Sequence, residues 1–128
     1  MTLEFAHSYE AQVTTPSRAR SWSQARLRDV LPDHPRADEI LDEAAIVVSE
    51  LVTNAIQAGT QVATLTLSVG RDRVRIGVTD DAGGRPRVAR SGPQDEHGRG
   101  LQIVDALCRD WGVTRTGNGK QVWAELPF

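Results

Sequence analysis

The chain has 128 residues, a formal net charge of −2 and a pI near 5.9, which argues against a nucleic-acid binder, whose footprint is a strong basic excess. That length suffices for one domain with a sizeable core and not for two ordinary ones, so residues 1–128 are read as a single domain. Apolar and charged contents of 39% and 25% are those of a soluble globular protein; no apolar run approaches the ~20 residues of a membrane span.

The N-terminus MTLEFAHSYEAQ lacks a signal pattern, and the lone Cys108 can close no disulfide within the chain. A reducing cytoplasm is therefore the expected compartment. The fifteen basic residues are fourteen Arg and one Lys, Lys120. That skew fits a coding bias towards Arg and Ala better than a binding role.

In chain order, residues 3–13 alternate loosely and predict an edge strand. TPSRARSWSQARLRDVL predicts a helix capped by Ser17 and ending at Leu31, broken by PDHP. A second helix is predicted from about Arg36 to Ala58, with Gly59 as its stop. QVATLTLSVG puts Ala63, Leu65, Leu67 and Val69 on one face, a strand periodicity, and VRIGVTD pairs with it across an RDR turn. From Asp81 to Gly100 the pattern gives way to DAGGRPRVARSGPQDEHGRG, long for a structureless loop and typical of a lid or binding loop.

GLQIVDALCRDW resumes helical spacing through Leu101, Val104 and Leu107 or Cys108, with Trp111 as core near the helix end. The tail predicts a hairpin turning at GNG, with Val122, Ala124 and Leu126 inward and Trp123 outward. Lys120, beside that turn, either lies near a functional site or, the plainer reading, is a surface lysine. The sum is an α+β two-layer sandwich, a mixed and mostly antiparallel sheet with helices on one face.

Three polar sites stand out. In VVSELVTNAIQAG, Glu50 and Asn54 lie roughly 40° apart at the edge of a broad apolar arc. A carboxylate there can accept a hydroxyl proton, and an amide oxygen can ligate a hard cation such as Mg²⁺. A helix edge whose Glu and Asn reach solvent is the plainer reading. Asp80 shares the parity of Val74, Ile76 and Val78, so alternation aims it at the core side at its strand's end. There it either meets the amino group of a heteroaromatic base or caps the following turn through backbone amides, a common use of Asp. HGRGLQIV, a Gly-rich turn feeding a helix, is a ready anion site or an ordinary helix start. It matches neither the P-loop nor the dinucleotide-binding fingerprint.

Together, SELVTNA, VTDDAGGRP and HGRGLQIVDAL resemble the N-box and the two glycine boxes of the ATP-binding fold shared by gyrase, heat-shock chaperones, histidine kinases and MutL (GHKL), over roughly residues 36–126. The resemblance implies ATP and Mg²⁺ as cofactors, Glu50 as general base and Asn54 as magnesium ligand. It also implies Asp80 as partner of the adenine amino group, Gly84 as the later glycine of the first box, and Gly98, Arg99, Gly100 and Leu101 on the phosphates. Ala82 and Ala58 depart from the family pattern, at its first glycine and at a frequent His.

The chain carries little beyond the ATP-binding module. None of His7, His34 and His97 sits on a dimerising helix as a phosphoacceptor would. It is therefore most similar to the anti-sigma-factor serine kinase branch. The resemblance implies a cytoplasmic Ser/Thr protein kinase whose partner is an anti-sigma-factor antagonist, a sigma factor, or both, with a homodimer as a further possibility. The lid, residues 85–97, would close over the phosphates with Arg85, Arg87 and Arg90 as candidate ligands; solvated loop charges are the plainer reading of each. A non-catalytic module that signals ATP to a protein partner through its lid is the alternative reading. Binding to nucleic acid through Arg18, Arg20, Arg26 and Arg28 is a third, and salt-sensitive DNA binding is not expected from it.

Overall fold

The computed structural model describes residues 2–81, 96–117 and 119–128, with 96–100 as backbone. Among the described residues, five strands form one sheet in the order β1-β2-β3-β5-β4, antiparallel at each pairing. The strands are β1 (Leu3–Glu10), β2 (Val62–Val69), β3 (Arg73–Asp80), β4 (Asp110–Thr116) and β5 (Gly119–Pro127). The helices are α1 (Thr15–Val30), α2 (Ala37–Gln57) and α3 (Glu96–Leu107). α2 lies on β2, β3 and β5, α1 lies on α2 and β1, and α3 lies on α2 and β4. The sandwich read from the sequence is thus the observed fold.

The long helix α2 forms because its apolar residues recur at helical spacing. Ile40, Leu41, Ala44, Val47, Val48, Leu51, Val52 and Ala55 are all buried in the core. Asp38 and Glu39 stand in its first turn, where carboxylates suit the helix dipole. The Arg36 guanidinium bridges Glu39 and Glu43 at 2.6 and 3.3 Å. The helix stops at Gly59, whose φ of 98° needs a residue without Cβ. The N–H groups of Gly59 and Thr60 bond back to Ile56 and Ala55, a Schellman closure.

On the sheet side, Ala63, Leu65, Leu67 and Val69 of β2, Val74, Ile76 and Val78 of β3, and Val122, Ala124 and Leu126 of β5 meet α2 in one core. Burying a single such Leu, Ile or Val contributes about 1.5–3 kcal/mol, so this layer dominates the stability of the molecule.

Three boundaries differ from the sequence expectation. Helix α1 begins at Thr15 with Pro16 in its first turn, and Ser17 is exposed rather than capping. Thr15 closes the preceding turn instead: its hydroxyl donates to the Glu10 carbonyl at 2.7 Å and accepts the Gln12 N–H at 3.0 Å. Helix α3 begins at Glu96, so the last two residues assigned to the lid are helical. It ends at Leu107, because the Arg109 N–H joins the Glu125 carbonyl and the following residues pair with β5. Trp111 is therefore a strand residue, half-buried against the core, its indole N–H donating to Asp105 at 3.0 Å.

The remaining side chains of note find neighbours within the chain. Leu27 is fully buried, and Trp22 stands edge-on to His7. Of the four arginines on α1, Arg18 lies over the Tyr9 ring, Arg20 donates to Ser49 at 2.6 Å and Arg26 pairs with Asp29. Burial, with Glu43 and Asp105 nearby, pushes the Cys108 thiol up to about 12, so it stays protonated at neutral pH. No helix among the described residues is long and apolar enough to cross a membrane.

Candidate functional site

Asn54 lies on the core side of α2 and is 5% exposed, deeper than the boundary position expected for it. Glu50, one turn earlier, is half-buried. The difference follows from their places on the arc: Asn54 neighbours Leu51 and Ala55, both buried, whereas Glu50 neighbours the exposed Ile46.

Asp80 ends β3 on the core side, 3% exposed, as its parity implies. Its register partner on β5 is Lys120. Here the surface reading fails: Lys120 is 5% exposed, and its Nζ donates to Asp80 Oδ2 at 2.7 Å. The signal was present, since Lys120 continues the inward alternation of Val122, Ala124 and Leu126 by one more step. An ammonium so placed needs a carboxylate, and Asp80 supplies it.

At the next residue, the Asp81 carboxylate serves the backbone. Its Oδ1 accepts the Thr60 hydroxyl at 2.8 Å and the N–H groups of Gln61 and Val62 at 3.1 and 3.3 Å. The Thr60 hydroxyl oxygen accepts the Asp81 N–H in return. The end of β3 is thereby tied to the C-terminal closure of α2 and to the start of β2.

The Thr60 hydroxyl foremost, then the Val62 N–H, holds the Asp81 carboxyl below the usual carboxylate range. A folded value lower than the unfolded one stabilises the fold above the unfolded pKa, and that stabilisation is lost as pH falls through the folded value. Asp81→Ala is therefore expected to lower the urea midpoint at pH 7. The gap to the parent should close as the pH is taken below about 3.9, and a constant gap across the range would contradict the assignment.

Gly119 sets how closely β5 approaches this corner. A Cβ there would collide with the Asp80 carbonyl, a backbone atom that cannot swing aside. Gly119→Ala is expected to destabilise by about 1–3 kcal/mol and to shift the amide resonances of Asp80 and Lys120. Unchanged thermal unfolding and spectra would contradict it.

Gly84 and the lid arginines Arg85, Arg87 and Arg90 lie outside the described residues. Gly98, Arg99, Gly100 and Leu101 lie in the first two described turns of α3. Among the described residues, no group of three or more His, Cys, Asp or Glu side chains can hold a metal ion. Asn54 offers one amide oxygen, and a magnesium ion carried on phosphate would need only one or two protein oxygens. A groove of about 430 Å³ lies on the opposite face of the sheet, along Thr66, Ser68, Arg75, Gly77 and Gln121. It shares no residue with the corner around Asp80.

Residues 9–126 match a protein family described as the histidine kinase-like ATPase domain. A search among curated proteins found no match. Among solved structures, the RsbU and RsbW domains of Rv1364c from Mycobacterium tuberculosis superpose with a TM-score of 0.63 at 17% identity, over 98% of this chain and 33% of that one. The histidine kinase domain of the blue-light activated histidine kinase EL346 from Erythrobacter litoralis gives 0.57 at 22% identity, over 88% and 60%. The chain thus spans a third and three fifths of these two proteins, and at such identities the likeness is one of fold.

Proposed function

The chain belongs to the histidine kinase-like ATPase family, and on that premise we propose that it is an ATP-dependent Ser/Thr protein kinase that regulates through an anti-sigma-factor antagonist, a sigma factor, or both. The observation that carries the reading is the buried Asp80 at the end of β3, an acceptor set into an apolar core. Asp80 accepts from the adenine amino group. Asn54 offers its amide oxygen to Mg²⁺, and the N–H groups opening α3 receive the phosphates. When bound, magnesium neutralises charge on the transferring phosphoryl group.

Glu50 takes the proton of the substrate Ser or Thr hydroxyl as its oxygen bonds to the γ-phosphorus. The bond from that phosphorus to the β–γ bridging oxygen breaks, and ADP leaves. Half-burial suits Glu50 to this task, because a base serving a second protein must remain reachable. The presence of an RsbW domain in one of the structural neighbours described above supports the choice of branch.

Titration calorimetry with Mg·ATP, followed by labelled ATP and antagonist or sigma proteins encoded beside this gene, tests the reading. Heat from ATP and label on a partner Ser or Thr is the expected result. ATP binding without transfer to a partner shown to bind would leave the ATP-responsive module instead, and absence of ATP binding would overturn both.

A further inference from the structure

Lys120 is the one lysine of the chain, and it lies in a buried site. Its stem continues the inward row of β5, and its ammonium reaches the strand end 2.7 Å from Asp80 Oδ2. Long cationic side chains ordinarily bury the stem and leave the head in water. Here the head is enclosed as well, beside the carboxylate assigned above to the base.

An ammonium carries three N–H donors, and Oδ2 accounts for one of them. The pair therefore sets a donor next to an acceptor at one point of the fold. The pairing edge of adenine is complementary: an amino donor at position 6 adjoins a ring acceptor at N1. Guanine reverses both, with a carbonyl at position 6 and an N–H at position 1. In the same pose it would set acceptor against Asp80 and donor against Lys120, a mismatch that selects against the wrong ligand.

We propose that Lys120 is a specificity-determining residue that reads the base together with Asp80, its Nζ donating to adenine N1 while Asp80 accepts from the 6-amino group. The proposal rests on the ATP-binding reading above and assigns a second contact to it. Gly119 contributes by letting the β5 backbone press against the Asp80 carbonyl, which fixes the distance between the two head groups.

The test is calorimetric binding of ATP and of 1-deaza-ATP, in which a C–H replaces N1 and the amino group is kept. The wild-type chain is expected to bind 1-deaza-ATP at least about 10-fold more weakly, the size of one lost hydrogen bond to a charged donor. Lys120→Met is expected to bind the two nucleotides alike. Because that variant leaves a buried carboxylate without its ammonium, Asp80→Asn/Lys120→Met serves as the second. It removes both charges, keeps an amide oxygen for the amino group, and should also bind both nucleotides alike.

Equal binding of the two nucleotides by the wild type would overturn the proposal while leaving ATP binding intact. The same discrimination surviving in either variant would overturn it too. No binding of ATP by the wild type would overturn the reading beneath it as well.

Discussion

Lys120→Met is expected to lower the unfolding free energy by about 3–5 kcal/mol, the cost of removing one partner from a buried ion pair. The two head groups are 2.7 Å apart and almost wholly enclosed. The loss is mainly the desolvated carboxylate left behind rather than the attraction forgone. Against a total stability of roughly 5–15 kcal/mol for a domain, a change of that size moves the urea midpoint far while the slope stays constant. Replacing both partners with apolar residues of similar volume, Asp80→Leu/Lys120→Met, should recover most of the loss, since buried pairs often break even against apolar packing. A single variant as stable as the parent would mean that the pair is wet and contributes nothing.

Glu50→Ala is expected to reduce phosphoryl transfer to a partner protein by about 10²–10⁴-fold, the usual contribution of a positioned general base, with ATP affinity within a few-fold of the parent. The separation follows from the placement. Glu50 lies one turn from Asn54 on α2 and is half-buried, whereas Asp80 and Lys120 are buried on the sheet, at the end of β3 and near the start of β5. Removing a base should affect the chemistry and spare recognition of the nucleotide. Stability should change little, because the site is partly open to water. Rapid-quench transfer assays and calorimetry on the same preparation read the two effects. Transfer unchanged in the variant would remove Glu50 from the mechanism, and loss of ATP binding would make it a ligand rather than a base.

The parts of the molecule that could be read without coordinates are those governed by local periodicity. Helix α2, strands β2 and β3, and the inward row of β5 follow from apolar spacing, and the burial of Asp80 follows from the parity of its strand. What escaped depends on contacts distant in sequence. Trp111 falls seven residues after Val104, a helical interval, and only pairing with β5 makes it a strand residue. Ser17 is a good cap by type, yet α1 starts at Thr15, whose hydroxyl is taken by the turn that leaves β1. Residue type argues for a surface Lys120 and parity for a buried one, and a carboxylate across the strand pair removes the objection to burying it. The bonds that Asp81 accepts from the backbone join it to residues some twenty positions away, so the sequence around it does not announce them.

The tandem Asp80-Asp81 has a meaning for fidelity. Neighbouring residues on an extended chain look to opposite sides of the sheet, so sliding the end of β3 by a single position would present Asp81 to the interior and turn Asp80 outward. Both orders would still offer a carboxylate, and composition alone does not choose between them. The clasp of Thr60, Gln61 and Val62 around Asp81 makes the choice, because it accepts a carboxylate at the outer position only. The identity of the inner acid is thus encoded one residue downstream of it, in a side chain that never enters the interior.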